Sequence, residues 1–202
     1  MPKGAAHIFS LVLVLGAIFL VRQLGDPHSR RVLVDEQQPA VTDDGISVYF
    51  SPHGGCEAAV VGRINSAQHS IDMQAYTFTS VPIAQALADA QGRGVIVRAI
   101  LDEQATSEHD TEALYLKDRG ITVFTDGDHP IAHNKVIVLD GRTVITGSFN
   151  FTKQAENANA ENLMILADRP AIASAYERNF ENHLSHSQPF TGMLQPTREH
   201  TR

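Results

Sequence analysis

The sequence predicts an α/β fold: one domain with a mixed, mostly parallel β-sheet flanked by helices on both faces. Three observations carry that expectation. Short runs rich in Val, Ile and Leu alternate with helix-like stretches from about Gly45 to Leu184. A composition of 43% hydrophobic and 19% charged residues can bury a core, and 202 positions leave room for one ordinary domain or at most two small ones. Asp140-Gly141, lying between two apolar runs, marks a hairpin because both residues tolerate positive φ, and a hairpin makes the sheet mixed.

Taken in order, Ser47–Phe50 is the first strand candidate and Glu57–Ala67 the first helix. Ser70–Tyr76 follows as a strand. A helix then starts at Ser80, an N-cap residue with Pro82 in the first turn; it places Ile83, Leu87 and Ala90 on one face and stops at Gly92. Val95–Leu101 is a strand, Thr111–Arg119 a helix and Thr122–Phe124 a short strand. Lys135–Leu139 and Thr143–Thr146 form the hairpin. Leu163–Leu166 is the last strand and Ala171–Leu184 the last helix.

Outside this region, Ile8–Val21 is a run of fourteen residues with only Ser10 polar, flanked by Lys3 and Arg22. Its length suits an export signal better than a spanning helix, and no small-x-small cleavage site follows it. Residues 1–24 are therefore expected to be a signal peptide or signal-anchor, which implies an exported chain, periplasmic or secreted, with a possible membrane tether through residues 8–21. Residues 25–44 are expected to be a linker, 45–184 the folded domain, and 185–202 a flexible tail.

Composition narrows the chemistry. One cysteine, Cys56, excludes an internal disulfide and a thiolate cluster for zinc or iron–sulfur. A formal charge of −7 is the wrong sign for extended polyanion binding, so any contact with nucleic acid must be local. Ten histidines invite a metal, but neither His-x-x-x-His nor a Cys/His pair at zinc spacing occurs, and Lys135 beside the candidate site would repel a cation. No metal and no cofactor is expected. His109, His129, His183 and His186 have no spacing that recommends them.

The candidate site lies in the hairpin. Side chains alternate across a strand, so His133 and Lys135 share one face. A two-residue loop would pair His133 with Ser148 and Lys135 with Thr146. Imidazole, ammonium and hydroxyl would then converge, with Asn150 on the same side, and such a spot suits a phosphate. Lys135 in an apolar strand costs several kcal/mol if buried without an anion, so it needs a solvated edge or a site. Taken alone, Gly147-Ser148-x-Asn150 is a common turn and Glu161 a charge flanking a strand. Ser148 lacks the elbow of a serine hydrolase.

Taken together, His133-x-Lys135, Asp140 and Gly147-Ser148-x-Asn150, with Glu161 eleven residues further on, resemble the HKD signature of the phospholipase D superfamily. The resemblance covers about Gly45–Leu184, including Ile71–Thr79, which is similar to that family's early strand. The single motif and small size resemble the small bacterial endonuclease branch, whose members are homodimers, and the related mitochondrial branch. The resemblance implies a phospholipase D-like fold and metal-independent phosphodiester cleavage. His133 would attack phosphorus to give a phosphohistidine while His133 of a second copy protonates the leaving oxygen. It further implies that Lys135 and Asn150 hold the phosphoryl oxygens, Ser148 adds a hydrogen bond and Glu161 orients the imidazole. Asp140 and Gly147 are assigned structural roles.

Nucleic acid, cut with little sequence preference, is the first substrate expected, as the size and single motif favour a nuclease. A phospholipase D or cardiolipin-type lipid phosphodiesterase is the alternative within the same chemistry. A non-catalytic phosphate-binding module is the alternative from a different class.

Overall fold

A computed structural model describes residues 39–107 and 111–192. In chain order the elements are β1 (Val41–Asp43), β2 (Ile46–Phe50), α1 (Cys56–Ser66), β3 (Ser70–Ala75), α2 (Val81–Gly92) and β4 (Ile96–Asp102). They continue as α3 (Glu103–Thr106), α4 (Ala113–Asp118), β5 (Thr122–Asp126), β6 (Lys135–Leu139), β7 (Thr143–Gly147), α5 (Lys153–Asn157), β8 (Asn162–Leu166), α6 (Pro170–Leu184) and β9 (Gln188–Pro189). β1 falls within the stretch 25–44, and β9 within 185–202.

The strands form one sheet in the order β1-β2-β8-β7-β6-β3-β4-β5-β9. It is mostly antiparallel, which corrects the expectation of a mostly parallel sheet: only β3–β4 and β4–β5 run parallel among the described strands. The physical reason lies in the connections. α2, then α3 with α4, are crossovers that return the chain to a parallel neighbour. α1 is not such a crossover, because β2 pairs with β8 and never with β3. A strand–helix alternation in sequence is therefore only a partial guide to strand direction.

Burial explains why β6 reads as a continuous apolar run. Ile137 and Leu139 face the larger core, built with Val60 and Ile64 of α1, Ile83 and Leu87 of α2 and Leu116 of α4. Val136 and Val138 face the other side, where they pack with Val144 and with Ala173 of α6. Helices thus cover both faces, and such a strand loses the polar alternation that would announce an antiparallel sheet. On the α6 side, Arg98 makes a bidentate pair with Asp72, both contacts at 2.7 Å, and reaches Glu181 at 2.8 Å, tying the helix to β3 and β4.

Local chemistry sets the helix ends. The Ser80 hydroxyl accepts from the Ile83 amide at 3.3 Å and donates to Glu57 at 2.6 Å, capping α2 and joining it to α1. Glu156 accepts from the amides of Gly55 and Glu57 at 3.1 and 2.8 Å, and so supplies an acceptor at the start of α1. Cys56 opens that helix fully buried, and burial together with the Glu156 charge pushes its thiol up to about 12.

The expected membrane tether and exported location are corrected as well. No helix among the described residues is long and apolar enough to cross a membrane. The run at 8–21, on which both expectations rested, lies outside the described residues, and nothing among the described residues supports either.

Candidate functional site

The site gathers where the C-terminal end of β3 meets the start of β6. Ala75 stands opposite Lys135 in the register, and the next amide, that of Tyr76, donates to the Asn134 carbonyl at 3.0 Å. This places the Tyr76 ring over both neighbours. Its centroid lies 4.7 Å from that of the His133 ring and 5.1 Å from the Lys135 Nζ.

His133 is exposed, whereas Lys135 retains only 6% exposure. Burial lowers the Lys135 ammonium to about 8, against the opposing pull of Glu161 and Asp102, whose carboxylates favour its charge. Nζ donates to the carbonyl oxygen of His133 at 2.8 Å. The segment before the strand is pinned by Asp102, itself buried, whose carboxylate accepts from the Ala132 amide at 2.8 Å and caps α3 through Ala105 at 2.7 Å. Asp102 is thus a positioning residue for the His133 loop.

The hairpin register differs from the expectation by one residue. Leu139 pairs with Thr143 across the three-residue turn Asp140-Gly141-Arg142, so Val136, not Lys135, faces Thr146. Asp140 and Gly141 both adopt positive φ, 53° and 63°. The Asp140 carboxylate turns away from the site and accepts from the amides of Gln68, His69 and Ser70.

Past β7 the chain makes a close approach. A Cβ at Gly147 would run into the carbonyl oxygen of Asn162, so no other residue fits there. The Ser148 hydroxyl accepts from the Asn162 amide at 3.1 Å and from its side chain at 3.2 Å. Phe149 and Phe151 are fully buried and bracket Asn150, whose Oδ1 is buried without a partner among the described residues. An unpaired buried acceptor costs about 1–3 kcal/mol, which is the kind of expense a binding site carries. Glu161 accepts from Asn159 at 3.1 Å, and no hydrogen bond joins it to His133 among the described residues.

Two features escaped the sequence reading. Tyr76 was signalled only by standing one residue beyond Lys135's partner on β3. Asp126, His129, His183 and His186 bring their ligand atoms within 4.8 Å of one another. The signal for them was a pair of i, i+3 spacings far apart in the chain.

An exposed imidazole beside a sunken ammonium has the chemistry to approach a phosphoryl group as nucleophile and to balance its charge. Comparison with known proteins agrees. The family described as "Cardiolipin synthase, PLD-like domain" matches residues 60–184. A "Phospholipase D" of Rickettsia felis is 42% identical over 137 residues, 68% of each chain. A "Mitochondrial cardiolipin hydrolase" of Xenopus laevis is 34% identical over 137 residues, 68% of this chain and 65% of that one. Nuc of Salmonella typhimurium, a phospholipase D family member of known structure, superposes with a TM-score of 0.70 at 37% identity, covering 72% of this chain and 97% of its own. From its fold and these relatives, the chain belongs to the phospholipase D superfamily and is a hydrolase of phosphodiester bonds.

Proposed function

We propose that the chain is a phospholipase D-type lipid phosphodiesterase that cleaves phosphatidyl headgroups or cardiolipin through a phosphohistidine on His133. The observation that carries the chemistry is the shared Tyr76 platform, which keeps an exposed imidazole beside the Lys135 ammonium. The choice of lipid over the expected nucleic acid is supported by the relatives that carry the names phospholipase D and cardiolipin hydrolase. A net charge of −7 also disfavours a long polyanion, whose binding draws on many basic contacts. Ile131, two residues before His133 and 55% exposed, offers apolar surface to a lipid.

In this reading a neutral ring nitrogen of His133 attacks phosphorus, the bond to the departing alcohol breaks, and water later cleaves the P–N bond. Lys135 neutralises charge on the non-bridging oxygens, and the Asn150 amide contributes to the same pocket. Ser148 adds a hydroxyl, and Glu161 favours the charged form of Lys135. Each chain offers one such histidine, while the reaction needs both a nucleophile and an acid for the alkoxide. The HKD assignment therefore calls for His133 of a second copy as the acid.

The test is headgroup release from phosphatidylcholine and cardiolipin vesicles, run beside plasmid cleavage under the same conditions with no metal added. Release from vesicles with intact plasmid is expected. Plasmid cleavage with unreacted vesicles would move the assignment to nucleic acid, and inertness toward both would leave a phosphate-binding module.

A further inference from the structure

The cluster at the far end of β5 lies outside the chemistry derived above. Asp126 ends that strand with 1% exposure. Three imidazole nitrogens close on its carboxylate from different places in the chain. His129 Nδ1 comes from the loop after β5, His183 Nδ1 from the last turn of α6, and His186 Nε2 from the link to β9. Their distances to Oδ2, the same oxygen in each case, are 3.1, 2.8 and 3.4 Å. The rings crowd together, with centroids 5.0, 5.2 and 5.3 Å apart.

Hydrogen bonding is one account of this packing and a bound cation is another. His129 Nδ1 also lies 3.2 Å from Oδ1, which accepts from the Asp128 amide at 3.1 Å, so the two carboxylate oxygens meet four donors in all. Protonating all three rings would gather three positive charges around a single carboxylate. A cation at the centre avoids that build-up of charge, because neutral imidazoles then turn lone pairs inward and the carboxylate binds the same ion. Ligands about 2.0–2.1 Å from a tetrahedral zinc stand roughly 3.3 Å from one another; here the nitrogens lie 2.8–3.4 Å from Oδ2 and all four ligand atoms within 4.8 Å of one another.

We propose that Asp126, His129, His183 and His186 form a structural transition-metal site, suited to Zn²⁺. Three nitrogens and one oxygen are a borderline-hard donor set that disfavours Ca²⁺ and Mg²⁺ and accepts Zn²⁺ or Co²⁺ in four-coordinate geometry. The metal would clip the end of α6 to β5, where β9 already pairs with it through Thr125–Gln188. It would also fix the first residues of the loop that leads to His133, four positions beyond His129.

The test uses the untagged full chain, stripped with a chelator and dialysed. Titration with Zn²⁺ alone is expected to give one ion per chain by mass spectrometry of the metal, and Co²⁺ alone to give the visible absorption of a tetrahedral complex. Saturating Zn²⁺ should raise the melting temperature by about 5–10 °C. His129→Ala and His186→Ala, at partly exposed positions that tolerate truncation, should each lose the Co²⁺ band and the thermal shift while keeping the native circular dichroism. A folded wild-type chain that takes up no metal, or the same uptake and spectrum in the double His129→Ala, His186→Ala variant, would overturn the proposal in favour of a hydrogen-bonded histidine cluster. Because every readout is independent of substrate, failure here is distinguishable from failure of the lipid reading.

Discussion

The Lys135 ammonium donates to the carbonyl oxygen of His133, its neighbour two positions back, at 2.8 Å. The cation therefore holds the backbone of the residue proposed as nucleophile. His133→Ala removes only the exposed ring and leaves this carbonyl in place. Turnover is expected to fall by at least about 1,000-fold with the melting temperature unchanged, checked by vesicle headgroup release beside a thermal melt.

Lys135 makes the site sensitive to alkali. Its ordinary value of 10.5 is lowered to about 8 in the fold, so between these limits the unfolded chain binds more protons than the folded one. Stability arising from this group therefore rises with pH across that window, as the cost of the buried charge is relieved. Activity moves the opposite way, falling above about pH 8 as the ammonium is lost. Urea melts of wild type and Lys135→Met at several pH values should converge toward the alkaline end of the window. A pH–rate profile should show the descending limb.

Tyr76 acts through its ring. Tyr76→Phe should keep near-normal kcat, whereas Tyr76→Leu should lower kcat about tenfold with little change in KM, because it loosens His133 without touching the substrate's distant groups. Equal losses in both variants would point to the phenol hydroxyl instead.

Asp140 and Gly147 are expected to act on stability. Burial opposes the Asp140 charge, but the amides of Ser70, His69 and Gln68 outweigh it and hold the carboxyl below its usual value. Its contribution is present above the ordinary carboxylate range and is lost as pH falls through the folded value. Asp140→Ala should cost about 1–2 kcal/mol at neutral pH. Gly147→Ala should cost about 2–3 kcal/mol, since the new Cβ meets backbone rather than a movable side chain. Urea denaturation measures both.

Much of this was legible in the sequence for identifiable reasons. The Ser80 cap and Pro82 announced α2 within a residue of its start, and the Asp140-Gly141 pair announced the hairpin, because both signals are local. The turn length was not local in the same way: Arg142 joined the loop, and one added residue moved the register from Lys135–Thr146 to Val136–Thr146. Strand direction failed for a similar reason, since the partner of β2 is β8, more than a hundred residues away. The residue types of the His133 and Lys135 pair could be read directly. The platform beneath them could not, because Tyr76 reaches them only through sheet pairing.

Cys56 has a practical consequence. The sole thiol is enclosed at the first turn of α1 and held protonated by burial, so alkylating reagents must wait for that helix to open. Its labelling rate in the native protein is thus a built-in clock for local unfolding, with no engineered probe needed.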